Sequence, residues 1–155
     1  MAENLAWLPQ VSPPTAGYYT APYYYVFDYR GTDVSATKIT ANYTTYGILY
    51  NWPAVLTACP AGWHLPGDAE WTTLENYLIA SGYNYDGKTS GNKIGRSLAT
   101  ITGWTSNSDA GSVGNTDYPA YRNKSGFSAL PGGYRDNGGD FGGIGHGGIW
   151  WSSTE

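Results

Sequence analysis

The stretch Cys59–Leu78 reads CPAGWHLPGDAEWTTLENYL, and in it turn chemistry, a helix start and an apolar stripe agree. Pro60 and Gly62 punctuate a turn. Trp63, His64 and Leu65 form a short extended piece, because Pro66 pushes Leu65 out of helical geometry. Gly67 stands at the N-cap position, with Glu70 at the capping-box position and Asp68 adding negative charge to the first turn. Glycine has no side chain to cap with, so half of that box is missing. Trp71, Leu74 and Leu78 fall at i, i+3 and i+7 on one helix face, flanked by Tyr77. Gly82 is a C-terminal stop. The spacing predicts one main helix over about 68–81, whose apolar face packs inward with Trp63 and Leu65. His64 is expected to be a buried, hydrogen-bonded side chain.

Working outward, the flanks read as short strands and long loops. Pro9, Pro13, Pro14 and Gly17 enforce a loop. Tyr18–Tyr29 is rich in strand formers, with Tyr23–Phe27 the best strand, and Tyr43–Tyr50 reads as another. Arg30–Asn42 reads as a polar connection. Pro53–Ala58 fits a turn or short helix opened by proline. Ser81–Lys124 is long and polar with little periodicity, the signature of a functional loop or an insert. Phe127–Arg135 and Ile149–Ser153 read as two strands joined by the Gly-rich segment 136–148. The fold class is therefore α+β, with short antiparallel strands, one main helix and long irregular loops in a single domain over 1–155.

Composition narrows the function classes. A net charge of -4 with only 13% charged residues leaves no basic patch for phosphates, so nucleic acid is not expected as a partner. Aromatics make up 16% of the chain, with 15 Tyr and 7 Trp beside 22 Gly, which suits strands, turns and a contact surface. A single Cys cannot form an internal disulfide. No apolar run approaches the ~20 residues of a membrane span, so no membrane insertion is expected. The opening residues show no basic and apolar leader.

Several motifs look chemical and fail on context. Gly82–Thr89 (GYNYDGKT) fits GxxxxGK[ST], yet the phosphate loop needs a strand before it and a helix after it, and here a helix precedes it and a Gly-rich segment follows. Gly143, Gly145 and Gly148 fit GxGxxG without a βαβ unit. His64 and His146 lack a Cys or carboxylate at zinc-ligand spacing. Asp109, Asp117, Asp136 and Asp140 could supply calcium oxygens, but no 12-residue calcium loop is present. Ser152 and Ser153 lie outside any GxSxG elbow. Glu70 and Glu75 point to different sides of one helix and do not face each other as a glycosidase pair. No catalytic set, cofactor or metal site is expected.

Taken together, TYGILYNWPAVLTACPAGWHLPGDAEW (45–71), SGFSALPGGYR (125–135) and WWSSTE (150–155) resemble the FISUMP domain, the Fibrobacter succinogenes major paralogous domain, and MAENLAW (1–7) resembles that family's opening motif. The resemblance implies a C-type-lectin-like fold and a secreted or surface-attached bacterial protein, with no enzyme activity attached. The spacing of Trp52, Ala54, Cys59, Gly62, Leu65, Glu70 and Leu74 is similar to the lectin-like order of helix, Cys, extended piece and second helix. The family also has a strand before the position of Met1 and a Cys-bearing segment after WWSSTE. The resemblance thus implies a fragment, and a Cys59 that is free here but bridged in a complete chain. The Glu-Pro-Asn and Gln-Pro-Asp tripeptides of calcium-dependent sugar binding do not occur.

The functional expectation is a non-enzymatic binding or display module, outside the cell or at its surface, for a glycan or a protein. A structural or adhesive domain of a larger surface protein is the alternative. An enzyme is the third reading, since formylglycine-generating enzymes share a related fold but need reactive Cys or metal ligands. The expected ligand-binding residues are Tyr134, Arg135, Asp136, Asn137 and Asp140, with Trp104. They combine aromatic faces, one cation and several acceptors near glycines, on loops where binding residues concentrate. For Tyr134 and Trp104 plain core packing is the competing reading, and for 136–148 a hairpin whose glycines only permit a bend.

Overall fold

The computed structural model describes residues 4–17 and 20–154. Expectations for Met1–Glu3, Tyr18, Tyr19 and Glu155 lie outside the described residues. The fold is α+β: five helices and two small antiparallel sheets among the described residues. In chain order the elements are β1 (Tyr24–Tyr25), α1 (Val34–Lys38), α2 (Ala41–Tyr46), β2 (Leu49–Tyr50), α3 (Trp52–Ala58), α4 (Asp68–Ala80), α5 (Gly95–Leu98), β3 (Gly132–Arg135) and β4 (Phe141–Ile144).

β1 and β2 pair with Tyr24 opposite Tyr50 and Tyr25 opposite Leu49. Beneath them lies the main core: Leu8, Val11, Tyr24, Val26, Ile48 and Ala54 are buried, and Tyr29, Val34, Tyr43 and Tyr50 pack against them. The strand expected at Tyr23–Phe27 is shorter than its composition suggests. Asp28 turns the chain away at φ 58°, and the Tyr29 N–H returns to Val26 O at 3.0 Å.

Tyr43–Tyr50 is not a strand throughout. Its first half belongs to α2, because the Thr40 hydroxyl accepts from the Tyr43 N–H at 3.2 Å and caps a helix there. Gly47, at φ 74°, then ends α2 so that only Leu49–Tyr50 joins the sheet. Local cap chemistry overrides the strand propensity of a Tyr- and Thr-rich run. The same device places α1 inside the connection 30–42: Asp33 Oδ1 accepts from the Ala36 N–H at 2.8 Å. In α3 Asn51 is the cap and Pro53 lies in the first turn, as its sequence predicts.

α4 starts at Asp68 and stops one residue before the expected Ser81. The Gly67 N–H donates to Glu70 Oε2 at 3.0 Å, which is the half of the capping box that glycine permits. Leu78 is buried, and Trp71, Leu74 and Leu65 are half-buried, but Trp63 is 76% exposed. Trp63 therefore does not pack under the helix. A turn closed by its N–H on Pro60 O, 3.0 Å, carries it over the surface. His64 is also exposed, contrary to expectation. Its Nε2 lies 2.8 Å from Glu70 Oε1 at the solvated start of α4, so its hydrogen bond is made in water.

The long polar region 81–124 is held by buried polar side chains more than by apolar ones. Asn84 and Arg96 are both buried. Asn84 draws in the carbonyls of Lys88 and Gly91 at 2.7 and 3.0 Å. Carbonyls, not N–H groups, thus converge inside the phosphate-loop-like segment, the opposite polarity from an anion cradle. Arg96 donates to Asn115 O at 2.8 and 3.0 Å and pairs with Asp117, tying α5 to the loop before the 3-10 turn Pro119–Tyr121.

β3 and β4 form the second sheet, with Tyr134 opposite Gly142 and Arg135 opposite Phe141. Gly133 sits at φ 68°, and a Cβ there would lie 2.4 Å from Gly142 O, so only glycine lets the two backbones approach. The partner of β3 is thus inside the Gly-rich segment, and Ile149–Ser153 is not a strand. Gly148 makes a single parallel bridge to Gly133, and 150–154 then crosses to α4. There Ser153 N–H donates to Pro66 O at 2.8 Å, Asp68 N–H to the Thr154 hydroxyl at 2.9 Å, and Trp151 Nε1 to Tyr50 O at 2.8 Å.

Candidate functional site

The arrangement of α4, α5 and 147–152 leaves an open cleft of about 560 Å3. Its apolar walls are Trp71, Leu74, Leu98, Trp104, Phe127 and Trp150. A volume in this range suits a small ligand or one residue of a larger one. A smaller recess of about 390 Å3 continues along α4 toward Tyr77 and Leu78, sharing Leu74, Leu98 and Phe127 with the first. Both lie along the helix face that the i, i+3, i+7 stripe defines.

The rings meet steeply. Phe127 lies 6.1 Å from Trp71 at 61° and 6.2 Å from Trp150 at 77°, centroid to centroid. Two of the indoles are anchored from behind: Trp71 Nε1 donates to Trp151 O at 3.4 Å, and Trp104 Nε1 to the Thr100 hydroxyl at 3.2 Å. These rings therefore offer faces more than donors. The polar edge comprises Asp68, Glu75 and Ser152. Ser152 donates its hydroxyl proton to Asp68 Oδ1, and Glu75 Oε2 accepts from Asn92 Nδ2 at 3.1 Å. Asp68, Trp71 and Glu75 are spaced i, i+3, i+7, so a carboxylate, an indole and a second carboxylate share one row of α4.

Just outside the cleft, Glu70 is held below its ordinary carboxylate range, first by the Gly67 N–H and then by the His64 ring. Across the molecule, burial pushes the Tyr50 phenol well above its usual value; its hydroxyl donates to Trp7 O at 2.9 Å.

The structure divides the expected ligand-binding residues between two places. Trp104 lines the cleft. Tyr134, Arg135, Asp136, Asn137 and Asp140 form the β3–β4 hairpin and do not line it. Within the hairpin the chain turns back on itself: the Asp140 N–H donates to Asp136 Oδ1 at 2.9 Å and the Asp136 N–H to Asp140 O at 2.9 Å. Arg135 points inward. Its Nη2 donates to Pro14 O at 2.5 Å and its guanidinium lies over the Tyr25 ring at 4.1 Å. Tyr134, Asp136, Asn137 and Asp140 stay exposed. His146 is exposed as well, near the Thr105 hydroxyl at 3.3 Å. From the sequence Trp71 reads as plain core, and none of Asp68, Glu75, Phe127 and Trp150 stands out as a site residue. The helical row Asp68–Trp71–Glu75 was the available signal.

No curated protein and no solved structure matches the chain. The family model of the Fibrobacter succinogenes major domain matches residues 1–155, and the chain belongs to that family.

Proposed function

We propose that this member of the Fibrobacter succinogenes major domain family is a non-enzymatic binding module. It displays its site on a C-type-lectin-like scaffold, outside the cell or at its surface, and takes a glycan or a protein as ligand. The observation that carries this reading is the aromatic cleft, where four rings and three acceptor side chains converge on about 560 Å3 of open space. Buried aromatic anchors in a pocket supply most of the affinity of a typical binding site. The short helix α3, Cys59, the extended piece and α4 follow one another in the lectin-like order, which supports the scaffold reading. The exposed hairpin residues Tyr134, Asp136 and Asn137 provide a second, outer contact surface.

A glycan and peptide array tests this. Wild type is compared with Trp104→Ala and with Tyr134→Ala/Asp136→Ala/Asn137→Ala, each checked for folding by circular dichroism. The expected result is a bound ligand whose affinity falls about thirtyfold in Trp104→Ala, the loss typical of an interface anchor, and less in the hairpin variant. A ligand that a folded Trp104→Ala binds unchanged would place the site elsewhere.

A further inference from the structure

We infer that the cleft is a cage for a methylated ammonium group, the choline type of head, carried on a larger body. The inference rests on the reading that this cleft is the binding site, and names what enters it.

Charge comes first. Asp68 and Glu75 bring two formal negative charges to the lining, and among the described residues no Lys, Arg or His lines it. Their partners are neutral: the Ser152 hydroxyl for Asp68 and the Asn92 amide for Glu75. The ion pairs among the described residues involve Glu70, Asp86 and Asp117 instead. An occupant that carries positive charge complements such a lining, and an anion is repelled.

Hydrogen-bonding chemistry comes second. Among the described residues no Asn or Gln lines the cleft, and its side-chain polar atoms are the acceptors of Asp68, Glu75 and Ser152 with one donor left over, the Trp150 indole N–H. The Ser152 proton is committed to Asp68, and the Trp71 and Trp104 N–H groups are committed to Trp151 O and Thr100. A sugar hydroxyl needs donors as well as acceptors around it. A quaternary ammonium of the choline type needs neither, because a fully methylated nitrogen has no N–H left to satisfy. It asks only for negative charge and for the faces of aromatic rings, of which the indole is the best.

Ring geometry comes third. Phe127 packs edge-to-face against both Trp71 and Trp150, with interplanar angles of 61° and 77°, so the aromatic walls are inclined to one another and do not form one flat platform. A flat pyranose stacks on one platform. A compact, nearly spherical head touches several walls of such a corner at once. The cleft volume, about 560 Å3, exceeds what that head alone needs, so the open cleft leaves room for part of the body that carries it.

Isothermal titration calorimetry of the whole chain at fixed ionic strength tests the inference with three probes. They are choline chloride, its neutral isostere 3,3-dimethylbutan-1-ol, and cellotetraose as a neutral oligosaccharide. Choline is expected to give saturable heat, with the isostere at least about tenfold weaker, the discrimination that the charge supplies in a partly desolvated aromatic site. Asp68→Asn/Glu75→Gln keeps shape and hydrogen bonds but removes both charges, and should weaken choline about tenfold with the circular dichroism unchanged. Equal binding of choline and its isostere, or an unaltered affinity in the double variant, overturns the cage. So does the absence of saturable heat with choline. Binding of cellotetraose without choline overturns the ammonium inference while the binding-module reading stands. A Trp104-dependent ligand from the array that lacks any ammonium does the same.

Discussion

Replacing Asn84 by Ala should unfasten the loop that follows α4. Asn84 is fully buried. Its Nδ2 donates to Lys88 O at 2.7 Å, Gly91 O at 3.0 Å and Ser90 O at 3.3 Å, and its Oδ1 accepts from the Lys93 N–H at 2.8 Å. Two amide protons serve three carbonyls, so about three full hydrogen bonds are at stake, each worth about 1 kcal/mol net. Residues 87–92 are exposed, so water can replace part of what is lost. The Lys93 N–H loses its partner as well. The expected loss is about 2–4 kcal/mol, or roughly 4–16 °C in Tm for a chain of this size. Urea unfolding with amide exchange at Lys93 is the assay.

Asn84→Asp sharpens it. The acceptor for Lys93 survives, but a carboxylate now faces three carbonyls, so burial and like dipoles raise its folded-state pKa above the unfolded value of about 4. A raised folded pKa means that stability is greatest below about pH 4 and falls as pH rises. A loss below about 0.5 kcal/mol in Asn84→Ala, or an Asn84→Asp stability that, relative to wild type at each pH, climbs with pH across this range, would refute the view that this amide holds the loop.

The face of α4 gives a second prediction: Leu78→Ala should cost about 2–5 kcal/mol as a buried large-to-small change, whereas Tyr77→Ala, at an exposed site, should stay within about 0.5 kcal/mol. Chemical denaturation of the pair decides it, and similar losses in both would mean that the helix is rotated. The third concerns Glu70, whose folded pKa is depressed by the Gly67 N–H and then by His64. Its contribution is therefore present above the ordinary value of 4.5 and is lost as pH falls through the lower folded value. Carbon-detected NMR titration should give a Glu70 midpoint below 4.5 that moves upward in His64→Ala; no upward movement would remove the histidine from the account.

The parts of this fold legible in the sequence are those where one residue dictates backbone geometry. Pro53, Pro66 and Gly82 bracket α3 and α4, and Glu70 marks the cap, so those helices lie within a residue or two of their expected bounds. α2 was illegible by propensity because a single hydroxyl, that of Thr40, outweighs a run of Tyr and Thr. The partner of β3 was misplaced because composition rewards the aliphatic and aromatic 149–153, while the actual pairing depends on Gly133 tolerating a close backbone approach. The cleft was half legible. Trp104 was expected to face ligand, and the row Asp68–Trp71–Glu75 is visible in the spacing, but nothing local says that Phe127 and Trp150 arrive opposite it. Whether a large aromatic such as Trp63 ends inside or outside likewise depends on what covers it, and that is decided by residues far away in the chain.

The crossing of 150–154 to α4 has a consequence for the order in which the molecule assembles. The start of the helix is completed from a sequence distance of 86 residues, at Asp68 to Thr154, and Trp71 is anchored from 80 residues away. At equilibrium such distance is cheap. Closing a loop of about 80 residues costs only about 1.2 kcal/mol more than closing one of about 20. In time it is dear, because a topology rich in distant contacts must close its loops before any contact rewards them. β1–β2 and the capped helices α1 to α3 are local and can form early. The cleft, whose walls come from α4, α5, Phe127 and Trp150 together, has no local version: its surface exists only once segments about 80 residues apart in the chain have met.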